Sequence, residues 1–172
     1  MLPDSYLITE GSTAYFGVAQ SQMTAVTGIS LATSNTFYPI LSIRLKATAL
    51  QGIVLPTFFQ AATTDNTILF YKLIRNATLT QGTWTDMPDA NSFSQYLESP
   101  ATGTTAVSGG TVLDNGIISG VGGGTGVRLD KDTVYQLGRS SLGTVSDTLT
   151  LAIASANTNK SAIGVITWIE QR

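Results

Sequence analysis

Eleven acidic side chains, no histidine and no cysteine bound the chemistry open to this 172-residue chain. Without His or Cys, the Ser-His-Asp and Cys-His nucleophilic systems, Cys/His zinc sites, thiol redox chemistry and a histidine pH switch are all closed. What remains are carboxylates, hydroxyls, aromatic rings and glycine-rich backbone. Glycoside hydrolysis needs two carboxyls about 5 to 10 Å apart in a cleft, and here the acids scatter over loop-like segments with no pair standing out. Asp130, Lys131 and Asp132, with Asp86 and Asp89, offer oxygens of the kind Ca²⁺ takes, but the EF-hand spacing is missing and Lys131 interrupts the pair. The segment reads as a solvated turn leading into the next strand. The sequence therefore predicts no catalytic residues, no metal and no cofactor.

Two further patterns invite chemistry and fail on spacing. Residues 118–126 hold five glycines whose bare amides could cradle an anion, yet no Gly-Lys-Ser/Thr follows for a P-loop, and no helical pattern follows for a dinucleotide fingerprint. A tight loop between strands accounts for them. Asn76-Ala77-Thr78 and Asn159-Lys160-Ser161 match the N-glycosylation acceptor, a chance match in a Ser/Thr-rich chain for which no cleaved export signal is expected: the first ten residues have neither a basic start nor an unbroken apolar stretch. Trp84, Trp168, Tyr71 and Tyr96 form either a sugar-stacking platform or, as such rings more often do, core and subunit contacts.

The elements that would position these residues are strands. Residues 68–75 carry bulk on both alternating faces, with Ile68, Phe70 and Ile74 on one and Leu69, Tyr71 and Leu73 on the other, so this strand is expected to be covered on both sides, by a second sheet and by another copy of the chain. Residues 161–170 also carry bulk on both faces. Leu149, Leu151 and Ile153 alternate with Thr148 and Thr150, the pattern of a strand with one wet face. From residue 38 onward, eight strand-like runs recur between turn residues, at 39–47, 51–59, 67–75, 92–98, 111–119, 133–137, 147–155 and 161–170. No window shows helical spacing, and eight strands without a Cys-Trp-Cys signature favour an all-β, antiparallel two-sheet sandwich of jelly-roll type over an immunoglobulin one.

Residues 1–36 are rich in small and hydroxyl side chains, with isolated anchors such as Tyr6, Tyr15 and Phe16. They read as an extended N-terminal arm, with 24–32 as one possible strand, ahead of a sandwich domain at 37–172; the competing possibility is that the arm packs back on its own domain. Charged residues make up 12% of the chain against roughly 25% in typical soluble domains, which points to surface buried by partners. The net charge of -2 speaks against direct nucleic-acid binding, and no apolar run is long enough to span a membrane. Arg44 and Lys46, alternating with Ile43 and Leu45, are either a solvated strand face or cations that meet acidic groups on a partner subunit.

The order of segments from residue 41 onward resembles a block recurring in tailed-bacteriophage virion structural proteins. It is carried by Ile43-Arg-Leu-Lys46, by Leu69-Phe-Tyr-Lys-Leu-Ile-Arg-Asn-Ala-Thr-Leu-Thr80 with Thr83-Trp-Thr85, by Thr105-Ala-Val-Ser-Gly-Gly-Thr-Val112 and by Ser146-Asp-Thr-Leu-Thr-Leu151, and it covers about three quarters of the chain. The resemblance implies a β-rich, non-enzymatic particle component: a capsid decoration (cement) protein, a head-fibre module or a tail accessory module, with no catalytic residues to carry over. The expectation is a decoration protein on the outer capsid surface of the virion, a homo-oligomer, expected as a trimer, that binds the major capsid protein and reinforces the shell. Tyr6, Tyr15, Phe16, Arg44, Lys46, Tyr71, Trp84 and Trp168 are its candidate contact residues. The alternative is a tail or fibre module gripping host surface carbohydrate.

Overall fold

The structure is a computed structural model, and it describes residues 17–63, 65–102, 104–118, 125–128, 135–139 and 144–171. Eleven strands are described: β1 (Val18–Met23), β2 (Ile29–Leu31), β3 (Tyr38–Leu45), β4 (Ile53–Ala62), β5 (Leu69–Arg75), β6 (Thr85–Asp86), β7 (Ser94–Glu98), β8 (Thr111–Ile118), β9 (Thr125–Arg128), β10 (Thr148–Ser155) and β11 (Lys160–Gln171). They form two antiparallel sheets. One runs β1-β11-β4-β9, with β2 also on β11; the other runs β6-β7-β3-β10-β5-β8. This is the all-β two-sheet sandwich expected, although the count of eight strands that suggested a jelly roll does not carry over to sheets of five and six.

β11 is the spine of the smaller sheet, pairing with β1, β2 and β4. From Ser161 onward its residues alternate: Ala162, Gly164, Ile166, Trp168 and Glu170 are buried, while Ile163, Val165, Thr167 and Ile169 are half-buried on the other side. A period of two with one side sealed is what a strand over a core requires. The opposing core comes from Ile40, Leu41 and Ile43 on β3, Leu149, Leu151 and Ile153 on β10, and Leu69, Tyr71 and Leu73 on β5. Tyr71 packs against Phe59 with ring centroids 4.9 Å apart at 57°, a tilted arrangement that aromatic pairs favour.

A polar clamp joins the sheets at one end. The Glu170 carboxylate, 2% exposed, accepts from Ser92 Oγ at 2.7 Å, from the Phe93 amide at 3.0 Å, from Trp168 Nε1 at 3.3 Å and from Ser94 Oγ. Glu170 belongs to one sheet and residues 92–94 lead into β7 of the other. Donors converging from both sheets compensate an acid that would otherwise be costly to bury.

Four expectations are corrected here. Residues 18–23 and 29–31, read as part of an arm, are β1 and β2, hydrogen-bonded to β11; of the 24–32 strand only Ile29–Leu31 forms. Removing residues 1–30 would strip β1 from the sheet. Part of the glycine-rich run read as loop enters β9, which pairs with β4. Of the 133–137 strand, a single bridge between Leu137 and Val54 is described. β10 is sealed on both faces rather than one, with Thr150, Ala152 and Ala154 fully buried beside Leu149, Leu151 and Ile153.

The outer cover over the larger sheet is the chain's own. Two connections, residues 76–84 and 99–110, are tied to each other by the Thr78 amide on the Ser108 carbonyl at 2.8 Å, and to the sheet by the Val107 amide on the Phe37 carbonyl at 2.8 Å. Gly82 and Gly110 have φ of 91° and 77°, and a Cβ there would come within 2.8 Å of Leu97 Cδ2 and 2.7 Å of Ile74 Cγ2. Only glycine lets both turns settle onto those side chains. For β5 the both-face burial expected from the sequence is thus partial: Ile74 is covered by the chain itself, Phe70 and Lys72 are half-buried, and Ile68 is 49% exposed.

A second corner is made at the end of β5. Asn76, at φ 56°, donates from Nδ2 to Asp147 Oδ1 at 2.8 Å and accepts the Thr148 amide at 2.9 Å, while Arg75 pairs with the same Asp147 carboxylate. Burial alone would raise the Asp147 carboxyl, but the hydrogen bonds and charge of Arg75, with the Asn76 bond, hold it below its ordinary value of 3.8.

Two outcomes follow for stability. Glu170→Ala, which leaves buried donors without an acceptor, is expected to cost about 3 kcal/mol in urea unfolding; a loss within error of zero would show the clamp to be dispensable. Asp147 has a depressed folded value, so its contribution is present above the unfolded value and vanishes as pH falls through the folded one. The stability gap between wild type and Asp147→Asn is expected to be full above about pH 5 and to close progressively below about pH 4, and a gap unchanged at pH 3 would contradict it.

Candidate functional site

The buried carboxylate–hydroxyl cluster of the described residues is absorbed into structure. Glu170, Ser92 and Ser94 are 2%, 3% and 0% exposed, and their hydrogen bonds are spent on one another and on Trp168. Among the described residues no group of three or more acidic side chains is placed to hold a metal ion. Asp86 and Asp89 serve as surface hydrogen-bond acceptors instead, and Asp130 and Asp132 lie outside the described residues.

The candidate contact residues separate into three groups. Tyr6, Tyr15 and Phe16 lie outside the described residues. Tyr71 and Trp168, 8% and 0% exposed, are core residues and correct the expectation of an interface or a stacking platform there; the indole N–H of Trp168 is bonded to Ser94 Oγ at 3.2 Å as well as to Glu170. Arg44, Lys46 and Trp84 come together on the outer side of the larger sheet. Arg44 Cζ lies 4.2 Å from the centroid of the Trp84 ring, and its Nε donates to Gln95 Oε1 at 3.0 Å.

That arrangement continues as a ladder across three strands. Gln95 Nε2 donates to Asp86 Oδ1 at 2.8 Å, Lys46 Nζ lies 3.5 Å from Asp86 Oδ2 and donates to the Ser92 carbonyl at 2.7 Å. The Gln95 hydrogen bond and then the Lys46 charge hold the Asp86 carboxyl below its ordinary value, and burial lowers the Arg44 guanidinium. Both cations therefore have partners within their own chain, and the ladder closes an edge of the larger sheet where β6 contributes two residues.

A second candidate surface is the outer face of the smaller sheet. Residues directly opposite across an antiparallel pair share a face, and the register of β1, β11 and β4 groups Ala19, Ser21 and Met23 with Ile163, Val165, Thr167 and Ile169, and with Ile53, Leu55, Phe58, Gln60 and Ala62. None of these side chains is charged. Met23 is 47% exposed, and the β11 and β4 members are half-buried among their own neighbours. An antiparallel sheet whose second face meets water ordinarily carries polar and charged residues there. On β1, β11 and β4 this face carries the polar Ser21, Thr167 and Gln60 but no charge, while Arg128 of β9 stands in register opposite Phe58; a sheet surface poor in charge is a candidate interaction site.

Bulk at Ile163, Val165 and Ile169 made this face partly legible from residues 161–170. The contributions of β1 and β4 were missed because the alternation in 18–23 is weak, and because a register shift in β4 opposite Thr167 and Trp168 moves Leu55 and Phe58 onto one face despite their odd spacing. The chain matches no known family model, no curated protein and no solved structure.

The ladder yields a measurable outcome. Arg44→Ala is expected to uncover Trp84 and to cost about 0.5 to 1 kcal/mol. Because Trp168 is sealed, a rise in acrylamide quenching of tryptophan emission reports on Trp84 alone, and unchanged quenching would show that Arg44 does not cover the ring.

Proposed function

We propose that this chain is a non-enzymatic virion structural protein, a capsid decoration protein that associates with copies of itself and with the major capsid protein on the outer head surface and reinforces the shell. The observation that carries the reading is the charge-free outer face of β1, β11 and β4 in the smaller sheet. Its particle context comes from the sequence resemblance, and its mechanism from surface burial.

The size of the face is adequate for that work. Nine residues of β11 span about 30 Å and three strands about 14 Å, so two such faces in contact remove roughly 1,000 Å² from water, about the lower limit for a specific interface. At about 25 cal/mol per Å² the gross gain is about 25 kcal/mol, from which association costs subtract a large part. Reinforcement by such contact needs no chemical step. A face packing on itself gives a twofold dimer, whereas the trimer expected from the sequence requires this face to meet a different patch on the next copy.

Analytical ultracentrifugation distinguishes these. Wild type is expected to sediment as a dimer or trimer, and Val165→Glu and Phe58→Glu as folded monomers that no longer occupy capsids lacking the decoration protein. A wild-type monomer at high concentration that also fails to bind such particles would refute the proposal.

A further inference from the structure

On the opposite side of the sandwich, the larger sheet carries a groove of about 390 Å³ bordered by Asn35, Phe37, Phe70, Lys72, Asn115 and Ile117. We propose that this groove binds an acidic sugar residue, a uronic or sialic acid unit of a surface polysaccharide. The site is independent of the self-association reading, because it uses the other sheet and none of its residues.

The groove follows from the register. Phe70 stands opposite Ala154 and Ile117, and Lys72 opposite Ala152 and Asn115, so Phe70, Lys72, Asn115 and Ile117 share the outward face. Ala154 is small and fully buried, which leaves low ground between the bulk of β5 and Phe37 at the start of β3. Asn35 is held at the far wall in the left-handed region, φ 56°, by its amide on the Ser155 carbonyl at 2.7 Å. Tight backbone pairing on both sides preforms the walls. The volume lies within the range of small-ligand sites, about 300 to 1,000 Å³.

The chemistry on those walls is that of an acidic sugar. Phe70 is half-buried, so it keeps part of an apolar surface for the C–H side of a sugar ring, while the half-buried Phe37 ring carries the Lys72 ammonium. The side-chain amides of Asn35 and Asn115 are exposed and enter no side-chain hydrogen bond with the described residues; each offers a donor and an acceptor, the pair that adjacent hydroxyls require. Lys72 Nζ sits 4.1 Å from the centroid of the Phe37 ring, which fixes its direction, and neither described ion pair uses it. The nearest acid on β8, Asp114, stands opposite Leu73 on the other face and accepts from the Tyr71 hydroxyl at 3.4 Å. An anion in the groove therefore meets a cation that no carboxylate of the described residues pairs with. A neutral sugar would leave Lys72 unused.

Titration of the full chain, followed by amide chemical shifts, tests this with tetraglucuronate and 3′-sialyllactose against cellotetraose and lactose, and with a short peptide ending in a free carboxylate. Binding of either acidic sugar, with a dissociation constant of about 1 mM or below, supports the site and identifies which acid it takes. Lys72→Met and Lys72→Gln are each expected to weaken that binding about tenfold or more, and Phe70→Ala to weaken it with an unchanged dependence on salt. Val165→Glu, on the other sheet, is expected to leave it unaltered, so failure of self-association and failure of this site are read separately. Equal binding of the neutral sugars, preference for the peptide, or no shift with any sugar at about ten times that concentration would each overturn the proposal.

Discussion

The Glu170 carboxylate and the alternation of the strand that carries it constrain everything else in this molecule. Four donors from residues 92, 93, 94 and 168 converge on one acid, and they come from both sheets. Since the acid is buried, its hydrogen bonds cannot be traded for water at low cost, and the sheets are held in one relative position. With Glu170 facing inward, the period of two sends Trp168, Ile166 and Ala162 inward as well, and Ile169, Thr167, Val165 and Ile163 outward. A one-residue slip would expose Trp168 and bury Gln171. The polar clamp and the apolar core thus specify the same register.

From that register come two outer faces of different character. The larger sheet is finished in part by its own chain: two connections settle on Leu97 and Ile74 through glycine, the Arg44 ladder closes one edge, and a groove between Phe37 and Phe70 is left open. The smaller sheet has no such cover among the described residues on the outer faces of β1, β11 and β4, where the residues in register from 19 to 23, 53 to 62 and 163 to 169 carry no charge. A scarcity of charge that is diffuse along the sequence is therefore concentrated on one surface in space. The proposed self-association on one side and the proposed groove on the other are compatible, because they use opposite faces of the sandwich.

Legibility of the fold followed the strength of local patterning. Seven of the eight expected strands correspond to β3, β4, β5, β7, β8, β10 and β11, where β-branched and aromatic residues cluster between turn formers. The strands that were missed, β1, β6 and β9, and β2, of whose expected 24–32 run only three residues form, are short or built largely from small and polar residues, and they exist because a neighbour offers free backbone groups. Thr150, Ala152 and Ala154 illustrate the same limit: small or hydroxyl residues look solvent-facing in sequence, yet Thr150 Oγ1 pairs with Ser42 Oγ at 2.9 Å beneath a cover supplied from elsewhere in the chain.

What the sequence determined by itself was the class of structure and the chemistry it excludes. β-branched and aromatic runs, turn residues between them, and the absence of histidine and cysteine are local facts that no tertiary arrangement can reverse. Which apolar residues face a core and which face outward was decided only in three dimensions. Tyr71 and Trp168 went inside, Arg44 and Lys46 found partners within the chain, and Phe58 joined Val165 across a register shift. Contacts between residues distant in sequence settle such questions, because burial depends on what lies opposite and a strand's own pattern does not encode its neighbour.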